Sequence, residues 1–294
     1  MLCKILIINF ILFITSIKAI TLPVWYQAPR FWGEPRLIKD HLYWPEFFIR
    51  VGSKDFALDH NGCQTALKDL LPKNESITDF DIEFQYTKNL KKGFFYQIVL
   101  PIRLIQSNTI RYLTKGQLGD TLITAGWGMN YQNFKVIDYI DLTLQTGIVA
   151  PSGTLRDKNE TYLLATGYNG KLGFIANGQI SLGILEWLTI GGHAALFNFA
   201  NSIHPTQIKS YGIYGKADHL INGLSVLVAG VKNKETKNNF TKWEFNSLNV
   251  FVEYDFTSLH NPCRPSFGVI FDIAKSGKCI IPTTMTGFYF NLVF

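Results

Sequence analysis

Charged residues recur at every second position of segments whose remaining positions are apolar. In residues 79–86, Asp79, Asp81 and Glu83 alternate with Phe80 and Ile82. If the apolar positions face outward, the charged positions line an interior. The full interior set is Glu46, Arg50, Asp79, Asp81, Glu83, Arg103, Asp141, His193, Lys209, Glu253, Asp255 and Asp272. It holds eight acids against three fixed bases, and the members of main interest are Glu46, Arg50, Glu83, Arg103, Asp141, His193 and Asp272.

Two kinds of chemistry fit such an interior, and the sequence favours neither. An acid-rich lining attracts cations and would make a pore that favours them. Alternatively, the charges pair with one another and fill a narrow interior, because an unpaired buried ion is costly. The second reading is a structural or surface-interaction protein that transports nothing.

Catalysis is the weaker interpretation of these residues. His193 lies near Ser181 and Thr189 along the chain, but no Ser-His-acid spacing stands out. The other histidines share no metal-ligand spacing. We therefore predict no enzyme, no metal and no cofactor. Acids and bases are interspersed, which argues against nucleic-acid binding.

The elements that must position these residues have a side-chain period of two, which is typical of β-strands. Most runs last about 10 residues, the length that crosses a membrane at the tilt of a barrel strand. The predicted strands cover residues 44–51, 79–86, 96–104, 123–131, 140–148, 172–182, 188–197, 207–217, 220–231, 243–256, 267–274 and 285–294. The run at 207–217 alternates least regularly.

Short and long gaps alternate between these runs, as in outer-membrane barrels with short periplasmic turns and long outer loops. The gap 89–93 is short, and the gap 107–119 is long. We predict an all-β fold, a twelve-stranded antiparallel transmembrane β-barrel in the bacterial outer membrane. Helical spacing occurs from Cys63 to Leu71, which predicts a short helix in the first outer loop.

The amino terminus has the pattern of a secretory signal. Lys4 precedes an apolar run of 13 residues, too short to span a membrane, and Ala19 supplies a small residue at the cleavage site. The predicted organisation is a signal peptide over 1–19, a periplasmic arm or plug over 20–41 and the barrel over 42–294.

Phe288, Phe290, Leu292 and Phe294 share one face of the last run. This segment resembles the closing strand of bacterial outer-membrane proteins, which ends in Phe. The resemblance implies recognition by the barrel-insertion machinery, with outer-membrane lipid and small solutes or ions as the other partners.

A narrower resemblance covers residues 119–153. Gly119-Asp120 precedes a strand with Ala125-Gly126-Trp127, and a hairpin with Asp138, Asp141 and Gly147 ends in Pro151-Ser152-Gly153. This segment resembles the outer-membrane transporter family labelled MetA-pathway of phenol degradation. The resemblance implies a porin-like or transporter barrel, with no established substrate and no catalytic residues.

Three cysteines remain after the signal. Cys63 and Cys279 both fall on the outer side of the predicted barrel, in loops that become neighbours if the first and last strands pair. A Cys63–Cys279 disulfide and two free thiols fit the sequence equally. Cys263 lies at the opposite rim.

Overall fold

The computed structural model describes residues 43–54, 56–58, 61–66, 77–107, 115–132, 134, 137–152, 172–199, 206–221, 223–236, 244–256, 264–278 and 284–293. Over these ranges no helix is long and apolar enough to cross a membrane. The predicted signal peptide, the arm at 20–41, Cys263, Cys279 and Phe294 lie outside them.

Fifteen strands make up the described chain. They are β1 (Tyr43–Lys54), β2 (Phe56–Leu58), β3 (Gln64–Ala66), β4 (Ile77–Asn89), β5 (Phe94–Ser107), β6 (Lys115–Leu118), β7 (Thr121–Gln132), β8 (Tyr139–Ala150), β9 (Gly173–Leu185), β10 (Leu188–Phe199), β11 (Thr206–Ile221), β12 (Leu224–Glu235), β13 (Glu244–Asp255), β14 (Arg264–Lys278) and β15 (Thr284–Val293). A single 3-10 turn spans Lys91–Gly93.

Twelve long strands form one closed antiparallel ring. Going round the barrel, their order is β1, β4, β5, β7, β8, β9, β10, β11, β12, β13, β14 and β15. The first and last strands close the ring, with Phe48 opposite Tyr289 and Arg50 opposite Gly287. The predicted all-β fold, the strand number and the pairing of the two terminal strands are confirmed.

The outward face is apolar, and this is what places the other side chains inside. Phe47, Ile49, Leu144 and Phe288 are each about half exposed. Aromatic residues gather near the rim that carries the short turns, where Trp127 donates a hydrogen bond to the Lys92 carbonyl at 3.2 Å. An apolar band bordered by aromatic rings is the exterior of a membrane barrel.

Proline explains an irregularity in the wall. Strand β5 pairs with β7 through residues 94–99 and with the short β6 through residues 102–105. Between them, the Gly119 amide donates to the Pro101 carbonyl at 2.7 Å. Pro101 has no N–H to return on that side, so the ladder breaks there and the wall divides into β6 and β7. Sequence alternation did not predict β6.

Three sequence predictions are wrong in detail. Gln64–Ala66, inside the predicted helix, forms a strand that pairs with β2. The turn predicted between the strands 207–217 and 220–231 comes later, because β11 continues to Ile221, and Gly223 after it has a φ of +95° that glycine adopts freely. Lys209 faces outward, because Ile208 and Ser210 on either side of it are the buried residues of β11.

Candidate functional site: the inner face of the barrel

The inner face of the barrel carries most of the buried polar and charged side chains of the described chain. Many of its side chains are buried, and the buried ones fall into two main regions. A polar wall lies on β4, β5, β7, β8 and β9, and its principal members are Asp81, Glu83, Gln85, Gln97, Thr124, Thr143, Gln145, Asn177, Gln179 and Ser181. An apolar wall on β1 and β11–β15 is formed by Phe48, Tyr214, Leu227, Ala229, Val231, Phe251, Ile270 and Tyr289.

The two walls lie across the barrel from one another. Strand β5 is six places from β12 in the ring of twelve, and β8 is six places from β14. This division could not be predicted from alternation, because the apolar wall uses inward apolar residues that a simple apolar-outward rule assigns to the lipid side.

Carboxylates dominate the charge of the inner face. Eight acids are buried among the described residues, namely Glu46, Asp81, Glu83, Asp120, Asp141, Glu235, Glu253 and Asp272, whereas Arg50 is the one Lys or Arg in that buried set. The sequence analysis did not include Asp120 and Glu235 in the interior set. Asp120 precedes β7, and Glu235 lies beyond residue 231, the end predicted for β12. The side chains of Asp79 and Arg103 lie outside the described part.

Arg50 is the hub of the charged cluster. Its Nη1 donates to Asp272 Oδ2 at 2.6 Å, and its Nη2 donates to Asp81 Oδ2. Arg50 and both acids are 1–2% exposed. Asp81 lies directly opposite Arg50 on β4, whereas Asp272 is two strands away on the other side. Removal of any one of these three groups would leave a buried charge uncompensated, which is strongly destabilising. The two ion pairs therefore hold the guanidinium in place.

A run of amides continues from this cluster along the polar wall. Gln85 Nε2 donates to Glu83 Oε1 at 2.8 Å, and Gln97 Nε2 donates to Gln85 Oε1 at 3.0 Å. Gln145 Nε2 then donates to Gln97 Oε1 at 3.1 Å and also contacts Thr124 Oγ1. The chain of hydrogen bonds therefore crosses four adjacent strands and starts at the carboxylate of Glu83.

The other predicted site residues are distributed around the ring. Glu46, on β1, lies opposite Gln85 of β4. Asp141 lies near the short-turn rim, where Asn130 Nδ2 donates to its Oδ1 at 2.5 Å. Asp272 and Arg50 meet, but Asp141 and His193 are remote from them in strand order.

Neither Ser181 nor Thr189, the two hydroxyl residues considered from sequence, is the hydrogen-bond partner of His193. Its Nε2 lies 3.3 Å from Ser210 Oγ. Ser181 Oγ is instead 2.5 Å from Tyr214 Oη, and Thr189 Oγ1 is 2.5 Å from Tyr139 Oη. Over the described part of the chain, no group of three or more His, Cys, Asp or Glu side chains could hold a metal ion.

The described residues do not test the cysteine pairing. Cys63 is exposed beside β3, and Cys279 is outside the described ranges. The Cys63–Cys279 disulfide therefore stays a prediction.

Comparison with solved structures finds the same architecture in an outer membrane channel. An outer membrane channel from Pseudomonas putida F1 has a TM-score of 0.64 and 14% identity, over 93% of this chain and 100% of the other. OmpT of Vibrio cholerae has a TM-score of 0.38 and 7% identity, over 88% of this chain and 99% of the other. LpxR from Salmonella typhimurium has a TM-score of 0.36 and 10% identity, over 85% of this chain and 99% of the other.

No family model and no curated protein matches the sequence. The fold is that of a bacterial outer-membrane β-barrel. The apolar outer face of this chain fits the outer membrane as its location. The resemblance of residues 119–153 to a named transporter family stays a prediction, whereas the barrel that it implied is confirmed.

Proposed function

We propose that this barrel is a narrow passive pore for small hydrophilic solutes and ions. The observation that carries the proposal is the polar wall, a band of inward amides, hydroxyls and carboxylates on adjacent strands. A barrel interior needed only for packing is better filled with apolar side chains, because buried polar groups cost free energy when they are not fully hydrogen-bonded.

Several of these polar groups lack protein partners. Among the described residues, Thr87 Oγ1, Asn177 Nδ2 and Oδ1, and Asn233 Nδ2 and Oδ1 have no hydrogen-bond partner, although their residues are at most 5% exposed. An unsatisfied buried group costs about 1–3 kcal/mol. Water or a passing solute would supply the missing bonds, which supports a hydrated lumen.

The charge of the inner face supports a preference for cations. Eight buried acids face one buried Arg in the described part of the barrel, and a confined lining with excess negative charge raises the local concentration of cations. The ion-pair hub at Arg50 neutralises only part of this charge, since it engages Asp81 and Asp272.

A filled, non-conducting barrel is the second candidate, and a specific observation favours it. Many inward side chains are buried, and Arg50 is paired with two buried acids. Such a barrel would serve as a structural or surface-interaction protein.

Liposome swelling separates the two candidates. Vesicles that contain the refolded protein are diluted into isosmotic solutions of small neutral solutes, and light scattering reports their entry. We expect swelling that slows steeply with solute size, as a narrow pore requires. Swelling equal to that of protein-free vesicles for every solute would reject the pore and leave the filled barrel.

A further inference from the structure

Four neighbouring side chains of the inner face form a distinct polar cluster, made of Gln145, Asn177, Gln179 and His193. They lie on the adjacent strands β8, β9 and β10. Gln145 is opposite Asn177, and Gln179 is opposite His193. Their exposed fractions are 4%, 5%, 3% and 6%. None of the four is an acid, although Gln145 also ends the run of amides that starts at Glu83.

The cluster presents hydrogen-bonding atoms that nothing in the described protein satisfies. These atoms are Gln145 Oε1, Asn177 Nδ2 and Oδ1, Gln179 Oε1 and His193 Nδ1. The remaining polar atoms of the same side chains are engaged. Gln145 Nε2 is bonded to Gln97, and Gln179 Nε2 donates to Tyr214 Oη at 3.1 Å. The glutamine carbonyl groups are thereby oriented by bonds at their other ends.

The residue beside the cluster on β10 is small. Ala195 on β10 lies directly opposite Asn177 and is itself buried on the inner face. Thr143 lies opposite Gln179 on the other side. A longer side chain at position 195 would occupy the place next to the Asn177 amide.

The mixture of donors and acceptors selects the chemistry of a ligand. A cation would satisfy the carbonyl oxygens but would face the Asn177 amide hydrogens, and an anion would face three carbonyl oxygens. A hydroxyl group donates and accepts at once, so adjacent hydroxyl groups can pair with a carbonyl oxygen and an N–H together. Neutral polyhydroxy solutes match the cluster best.

We propose that Gln145, Asn177, Gln179 and His193 form a binding site for a neutral polyhydroxy solute inside the barrel. This inference rests on the proposed pore, because a solute must enter the lumen to reach the site. It goes further by naming a solute class and a place on the wall at which passage is slowed by binding.

Saturation-transfer NMR on the full-length protein, refolded in detergent, measures the binding without any current. The probe is xylitol, and the control probe is diethylene glycol dimethyl ether, which is similar in size but has no O–H donor. We expect a xylitol signal that saturates with concentration and a signal for the ether that does not. Equal behaviour of the two probes would overturn the site and leave water as its only occupant.

Variants locate the binding on the wall. Asn177→Leu combined with Gln179→Leu removes three of the unsatisfied atoms, and we expect xylitol affinity to fall at least about fivefold, which is roughly the effect of one or more hydrogen bonds. Asn233→Leu is the matched control. It removes an equally buried amide with no described partner, on β12, and should leave xylitol binding unchanged.

A second variant covers the case in which the double change prevents folding. Ala195→Leu keeps every polar atom of the cluster and places a longer side chain beside Asn177, so xylitol binding should fall by a similar factor. Unchanged xylitol affinity in folded Ala195→Leu, or a loss in Asn233→Leu as large as in the double variant, would contradict the site.

A barrel that binds xylitol but causes no swelling contradicts the pore, and one that swells vesicles without binding xylitol contradicts the site.

Discussion

Arg50 reaches Asp272 because the residue between them on β15 is glycine. Arg50 and Gly287 are directly paired, and Asp272 lies on the next strand. A Cβ at position 287 would lie 2.5 Å from Arg50 Cγ and 2.3 Å from the Ile49 carbonyl oxygen. Tyr214 crosses Gly191 to meet Ser181, and Tyr139 crosses Gly183 to meet Thr189, in the same manner. Large inward side chains therefore lie flat along the wall over glycines.

Gly287→Ala should destabilise the barrel by about 1–3 kcal/mol, the usual cost of overpacking. The added methyl group would displace Arg50 from its bridge to Asp272. Urea unfolding of the barrel refolded in lipid vesicles measures the change. Gly230→Ala is the control, because a Cβ there meets nothing within 4 Å, and its effect should stay within about 0.5 kcal/mol. Equal effects of the two changes would contradict the crossing geometry.

Removal of the hub itself should cost more. Arg50→Met leaves Asp81 and Asp272 buried without their shared partner, and breaking a buried ion pair in this way typically costs about 3–5 kcal/mol. The added change Asp272→Asn should recover part of that loss, because it removes one of the two stranded charges. The same unfolding measurement tests both variants, and failure of the second change to recover any stability would argue against the hub.

At the scale of elements, a period of two together with the alternation of short and long gaps was enough to predict the twelve barrel strands. Apolar outward residues and polar inward residues alternate clearly on β4, where one face meets lipid and the other faces carboxylates and amides. The pattern failed on β11, because Ile208 and Tyr214 point inward to the apolar wall and leave Lys209 outside. The helical spacing from Cys63 to Leu71 also led to a wrong prediction, because the short hairpin of β2 and β3 has too few residues to show a period of two.

Partners across the barrel could not be predicted from the chain. Arg50 and Asp272 are separated by 222 residues, and their contact depends on which strands close the ring and in what register. The unsatisfied atoms of Asn177 and Gln179 are likewise visible only when the neighbouring strands are placed. Sequence reasoning therefore named Arg50, Asp272 and His193 singly, without their surroundings.

Leu144 tests the outward face of β8. It is 52% exposed and lies halfway along the strand. Leu144→Arg should cost about 2–4 kcal/mol, as arginine does near the bilayer midplane of a barrel. Leu185→Arg, at the end of β9 near the short turns, should cost about 0–1 kcal/mol. Equal costs in vesicle unfolding would mean that the apolar band is not centred where the strands place it.

For the whole molecule, location is the first expectation. A closed barrel with an apolar exterior belongs in a lipid bilayer, and the fold is shared with an outer membrane channel. Fractionation should recover the protein with the outer membrane, and the folded barrel should migrate faster in gels before heating than after it. Recovery in the soluble periplasmic fraction would contradict a membrane barrel.

The central claim is that ions pass along an acid-rich inner face, and the reversal potential across a KCl gradient tests it most directly. At low salt, where fixed charges are least screened, the wild-type protein in a planar bilayer should conduct with a preference for K⁺ over Cl⁻. Glu83→Gln with Asp141→Asn should move the reversal potential towards that of an anion-permeable pore, because both acids are buried on the inner face. Glu244→Gln should not move it, since Glu244 is paired with Lys232 at 2.5 Å on the outward face. No conductance, or an open channel that prefers Cl⁻, would contradict this account.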